Sequence, residues 1–130
     1  GNDDCHAILR GGRLPNYKAP DVDAACTLLA GQGVRPQVMI DLSHGNSGKD
    51  ARRQVDVAAD VAGQIAGGDA RIVGVMIESH LEEGRQDIVP GRLLRPGVSV
   101  TDACIGFAQT VPVLEDLARA VRTRRGAAAG

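Results

Sequence analysis

The sequence is almost without aromatic residues: no Trp, one Tyr (Tyr17) and one Phe (Phe107) among 130 residues. That excludes an aromatic-rich β-sandwich core and leaves Val, Ile, Leu and Ala to build the interior, which suits parallel α/β packing. Cysteine is scarce as well. Cys5, Cys26 and Cys104 are odd in number and form no C-x-x-C pair. A disulfide framework is therefore not expected, and reduced thiols in a cytoplasmic setting are. Neither charge sign dominates: 15 Lys and Arg stand against 16 Asp and Glu, for a formal net charge of −1. No electrostatic draw toward nucleic acid or acidic membranes follows from that balance. No run approaches the length of a membrane span, the longest being Ile72–Ile77, and no basic, apolar leader is visible. The chain opens at Gly1 rather than Met and soon enters an apolar stretch at Ala7–Leu9, which predicts a further part upstream. One domain over residues 1–125 and a disordered tail over 126–130 are expected.

What is present is a regular alternation. Three apolar, strand-length runs, Cys5–Leu9, Gln37–Leu42 and Arg71–Ile77, are bounded by Gly or polar clusters. The second and third are continuously apolar, the pattern of strands buried on both faces. Val22, Ala25, Cys26 and Leu29 fall on one helical face, with Asp21 as the expected N-cap and Gly33 as the stop. Val55, Ala58, Ala62 and Ile65 continue a second helix, expected from near Ser47 to Gly67-Gly68. Leu114, Leu117, Ala118 and Val121 mark a last helix, with Thr110 as N-cap and Pro112 in its first turn. The stretch Gly84–Thr101, with Pro90-Gly91 and Pro96-Gly97, predicts a long loop or a hairpin. The class is α/β, with about three βα units belonging to a parallel sheet or barrel.

The unusual polar residues follow the strands. Arg10 follows the first, His44 the second and Glu78 the third, and 34 residues separate Arg10 from His44 and again His44 from Glu78. Equivalent points in successive βα units share one end of the sheet, the C-terminal end where such folds bind ligands. His44, Glu78 and Asp102, the last 24 residues beyond Glu78, form a nitrogen and oxygen donor set suited to Mn²⁺, Fe²⁺, Co²⁺ or Zn²⁺. Each also has a plainer reading: a loop hydrogen-bonder for His44, an exposed strand-end carboxylate for Glu78, the N-cap of a turn at Ala103–Gly106 for Asp102. Asp41, inside an apolar run, is either a buried structural carboxylate or a functional one. Arg10, before Gly11-Gly12, suits bidentate phosphate binding or a salt bridge at the sheet end. Gly45-Asn-Ser-Gly-Lys49 is too short for a nucleotide-phosphate loop, and Asp50 stands where Ser or Thr is needed. An NTPase is excluded, and Lys49 reads as an early helix residue.

Four blocks carry a family resemblance. Gly1-Asn-Asp-Asp-Cys-His-Ala-Ile-Leu-Arg-Gly-Gly12 resembles the GNPDxHxILRGG segment of class I 3-deoxy-D-arabino-heptulosonate 7-phosphate (DAHP) synthases, the enteric, feedback-regulated type. Gln37–Lys49 resembles its VMIDxSHxNSxK block, Gly74–Gly84 its GVMxESHLxxG block, and Ser99–Gly106 its SxTDACIG segment. Asp3 in place of Pro, and Gly45 and Gly48 in place of bulkier residues, are minor departures. The resemblance implies the C-terminal part of a (β/α)8 barrel. It implies condensation of phosphoenolpyruvate with erythrose 4-phosphate, the first step of the shikimate pathway, in a homo-oligomeric parent enzyme. His44, Glu78 and Asp102 would then be three of four metal ligands, the fourth being a Cys upstream of this chain, and Arg10 would contact the phosphoenolpyruvate phosphate. Cys5 and Cys26 are expected as buried small apolar residues. Two other readings stand beside it: a stand-alone, non-catalytic metal- or phosphate-binding domain derived from the enzyme, and another metal-dependent barrel lyase or aldolase, which fits the 34-residue spacing but not the four blocks.

Overall fold

The computed structural model describes residues 5–128. Residues 1–4, which open the first family-like block, and residues 129–130 of the expected tail lie outside them. Strands β1 (Ala7–Leu9), β2 (Val38–Asp41) and β3 (Ile72–Met76) form one parallel sheet in the order β1-β2-β3. Ala7 pairs with Val38 and Leu9 with Ile40. The β2–β3 register shifts at Val38/Met39, so that Met39 faces Gly74. Beyond a two-residue break at Ile77-Glu78, the chain of β3 resumes as β4 (Ser79–His80), which pairs in parallel with β5 (Ile105–Gly106). A fourth parallel step therefore follows the three expected from the sequence. It stands where a turn at Ala103–Gly106 was the plainer expectation.

Helices α1 (Ala19–Gly31), α3 (Gln54–Ala66) and α4 (Phe107–Ala127) pack against this framework, with a short α2 (His44–Ser47) and a 3-10 turn (Ala51–Arg53) between β2 and α3. The core joins Val22 and Cys26 of α1, Val57, Ala58, Val61 and Ile65 of α3, and Val113, Leu117 and Ala120 of α4. Their partners are Val38, Ile40 and Leu42 from β2 and its end, and Ile72 from β3. Burying each such branched aliphatic side chain stabilises the fold by about 1.5–3 kcal/mol. Burial on both faces, expected for the second and third runs, is approached only in β2. Ile8 of β1 and Val73 of β3 are 47% and 50% exposed, because the core-forming helices cover the opposite side of the sheet.

Helix boundaries differ from those expected, each time through a specific contact. Helix α1 starts at Ala19 rather than after Asp21, whose carboxylate accepts from the Lys18 backbone N–H at 3.1 Å from inside the first turn. Helix α3 starts at Gln54, not near Ser47, because Gly48 and Lys49 are both left-handed (φ 62° and 64°) and interrupt the spiral. Lys49 is thus a linker residue and not an early helix residue. Helix α4 is capped at Gly106, not Thr110: the Gln109 side chain accepts from the Gly106 N–H at 2.7 Å, and the Thr110 hydroxyl donates back to the Gly106 carbonyl. Its far end reaches Ala127, two residues into the stretch expected as a tail. Gly84–Thr101 is a loop without strands, touched only by isolated bridges such as Arg85 with Ser99, and not a hairpin. Cys26 is buried as expected, whereas Cys5 is exposed; all three thiols are free. Among the described residues no helix is long and apolar enough to cross a membrane.

Candidate metal centre

The site begins with the tie between the ends of β1 and β2. The Gly45 N–H donates to the Arg10 carbonyl at 3.0 Å. The fully buried Asn46 donates to the carbonyls of Leu9 (3.0 Å) and Asp41 (2.7 Å), and its own oxygen accepts from the Asn16 N–H at 2.8 Å. A Cβ built on Gly45 would stand 2.7 Å from the Gly11 carbonyl carbon, so the two loops touch backbone to backbone. Gly11, next after Arg10, thus lets two strand ends come together.

This clamp sets His44, which sits at φ 48°, a left-handed conformation seldom taken by a non-glycine residue. Its ring is oriented by Asp41, fully buried, whose Oδ2 lies 2.6 Å from Nδ1 while Oδ1 accepts from the Ser43 N–H at 2.8 Å. Nε2 faces Glu78, with 3.9 Å to Oε1.

Glu78 occupies the break between β3 and β4. Its N–H donates to Gln54 Oε1 (2.9 Å), and its carbonyl accepts from Gln54 Nε2 (3.0 Å) and from the Ile105 N–H (3.1 Å). The buried Gln54 side chain therefore replaces the backbone partner that a continuous strand would have had. Sequence reasoning missed Gln54, Asn46 and Asn16; a polar residue at a core-facing position of α3 was the one available signal for Gln54. The Gln54→Leu variant is expected to lose about 1–3 kcal/mol by orphaning the Glu78 N–H, read as a lower denaturant midpoint at constant slope.

Asp102 comes from the loop before β5 and is exposed. Behind it Cys104 is buried, its Sγ 3.4 Å from the Asp102 carbonyl and 3.9 Å from Glu78 Oε2, and burial pushes its thiol above the usual range. The structure brings His44, Glu78 and Asp102 together: one ligand atom from each lies within 4.8 Å of the others. Donors about 2.1 Å from a shared ion are roughly 3–4 Å apart, and 3.9 Å is too long for a hydrogen bond. An imidazole nitrogen with two carboxylates at this spacing fits a divalent cation. A cavity of about 420 Å³ opens beside them, lined by Ser43, His44, Lys49, Arg85, Thr101, Asp102 and Ala103. Arg10 is exposed past the end of β1, at the same end of the sheet; it does not line that cavity.

The model of the DAHP synthetase I family matches residues 1–115. The chain belongs to this family. Among its relatives, the Phe-sensitive phospho-2-dehydro-3-deoxyheptonate aldolase of Escherichia coli (strain K12) is 54% identical over 126 residues, which cover 97% of this chain and 36% of that protein. The tyrosine-inhibited one of Schizosaccharomyces pombe is 53% identical over 130 residues, 96% of this chain and 35% of the relative. A solved phospho-2-dehydro-3-deoxyheptonate aldolase from Francisella tularensis SCHU S4 superposes with a TM-score of 0.91 at 46% identity, over 95% of this chain and 36% of that one. The chain thus spans little more than a third of the length of these relatives. As a member of the DAHP synthetase I family it carries the α/β arrangement of parallel strands seen in that neighbour.

Proposed function

We propose that the protein condenses phosphoenolpyruvate with D-erythrose 4-phosphate to give DAHP and phosphate, with this chain supplying the C-terminal part of a (β/α)8 barrel. The observation that carries this reading is the convergence of His44, Glu78 and Asp102 within 4.8 Å in a chain of the DAHP synthetase I family. The one-sided packing of the helices supports the barrel, since the other face of such a sheet lines a barrel interior. The reaction is the entry to the shikimate pathway, placed in the cytoplasm, and the intact enzyme is a homo-oligomer in this reading.

His44, Glu78 and Asp102 would hold a divalent ion (Mn²⁺, Fe²⁺, Co²⁺ or Zn²⁺), with a Cys from the upstream part as fourth ligand. When bound, such an ion supplies a Lewis acid that polarises a carbonyl oxygen. Arg10 grips the phosphoenolpyruvate phosphate, its planar fork matching two phosphate oxygens at once. Lys49 and Arg85, which share the cavity with His44 and Asp102, add fixed positive charge where two phosphorylated substrates must meet.

The test is phosphate release by the intact protein supplied with both substrates. A chelator is expected to bring it to background and Mn²⁺ to restore it. Arg10→Ala is expected to raise KM for phosphoenolpyruvate by about 10- to 100-fold, the loss of a charge-assisted hydrogen bond. Turnover indifferent to the chelator, or an unchanged KM, would count against these assignments. Metal binding without turnover would favour a stand-alone binding domain.

A further inference from the structure

Asp41 is fully buried at the end of β2, opposite Met76 of β3, and both of its oxygens are committed within its own turn. Oδ1 accepts from the Ser43 N–H at 2.8 Å, and Oδ2 lies 2.6 Å from His44 Nδ1. An ionised carboxylate can only accept. Facing it, a neutral imidazole must carry its proton on Nδ1, which leaves the Nε2 lone pair free. Nε2 is the atom turned toward Glu78, 3.9 Å from Oε1, in the cluster completed by Asp102. His44 also holds a left-handed backbone, φ 48°, so its ring is placed by a conformation that needs outside support.

We propose that Asp41 is a positioning residue for the metal centre, holding His44 as the Nδ1–H tautomer with Nε2 presented as a ligand atom. The proposal rests on the metal reading of this site and deepens it: Asp41 binds nothing itself and determines whether His44 can. The isosteric Asp41→Asn variant reverses the tautomer. Its amide oxygen stays on the Ser43 N–H, since the NH₂ there would set donor against donor. The NH₂ then faces Nδ1, which has to accept, and the ring proton moves to Nε2, where it blocks the ligand position.

Two measurements on the intact protein test this. The first is long-range ¹H–¹⁵N correlation of the ¹⁵N-histidine-labelled, metal-free protein at a pH where the ring is neutral. His44 is expected as the Nδ1–H form in the wild type and as the Nε2–H form in Asp41→Asn. An Nε2–H wild type overturns the proposal without recourse to any variant. The second is titration with Co²⁺, followed by its visible absorption. Asp41→Asn is expected to weaken binding by about 10- to 100-fold, as loss of such outer partners does, with the metal-free melting transition nearly unmoved. Equal Co²⁺ affinity in variant and wild type overturns the role of Asp41 and leaves the metal reading standing. A wild type that takes up no Co²⁺ overturns both.

Discussion

His44→Ala is expected to weaken divalent-metal binding by more than about 100-fold, because loss of a ligand exceeds the 10- to 100-fold cost of losing an outer partner. The side chain is 23% exposed and stands at the mouth of the cavity, so its removal leaves the hydrophobic core intact. The metal-free protein should lose about 1–3 kcal/mol, because the fully buried Asp41 Oδ2 is left without its 2.6 Å partner. The larger stability effect should appear only with metal present, since a ligand bound to the native state stabilises it by RT ln(1 + L/Kd), L being the free ligand concentration. Differential scanning calorimetry with and without Mn²⁺ separates the two. Phosphate release in the presence of both substrates should fall together with metal affinity. A His44→Ala protein with wild-type metal affinity would remove His44 from the ligand set, whatever its activity.

The second large effect is expected from a methyl group at the strand-end clamp. In Gly11→Ala the new Cβ would meet the Asn46 nitrogen and the Gly45 carbonyl carbon, both at 2.6 Å, and the backbone at φ 71° disfavours any side chain. Both contacts are to main chain, which cannot swing aside as a flexible side-chain tip can. Steric overpacking typically costs about 1–3 kcal/mol, and the left-handed strain adds about 1 kcal/mol. The midpoint of urea unfolding should fall accordingly, with an unchanged slope. Because Asn46 and Gly45 are the residues displaced, the damage should reach His44, and metal affinity should drop along with stability. Gly12→Ala is the control: a Cβ there meets nothing within 4 Å, so it should behave much as the wild type. Equal stability of the two variants would mean that the Gly11–Gly45 approach is not a close contact in solution.

The parts of this molecule legible in the sequence are those encoded by local repetition. The continuous apolar runs around Val38–Asp41 and Ile72–Met76 became β2 and β3, and Val22, Cys26, Ala58, Ile65 and Leu117 of the expected helical faces meet in one core, whereas Val55 and Leu114 of those faces are exposed and Val57, Val61 and Val113 take the buried positions. The 34-residue spacing of Arg10, His44 and Glu78 was legible for the same reason: equal βα units put equivalent residues at the same end of a parallel sheet. The four family-like blocks added the identity of the family, which the comparisons then showed.

Tertiary structure alone decided what depends on pairs distant in the chain. β5 is two residues long, too short to show a period, and exists because β4 lies beside it. The start of α3 depends on two left-handed residues that no apolar pattern marks. Gln54 holds Glu78 from 24 residues away, and Asn46 holds Leu9 from 37. A hydrogen bond to a backbone group leaves no trace in composition, since any carbonyl at the right place will accept it. Asp41 is the boundary case. The sequence by itself left it between a structural and a functional carboxylate, and the 2.6 Å contact to His44 Nδ1 shows what that carboxylate holds in place.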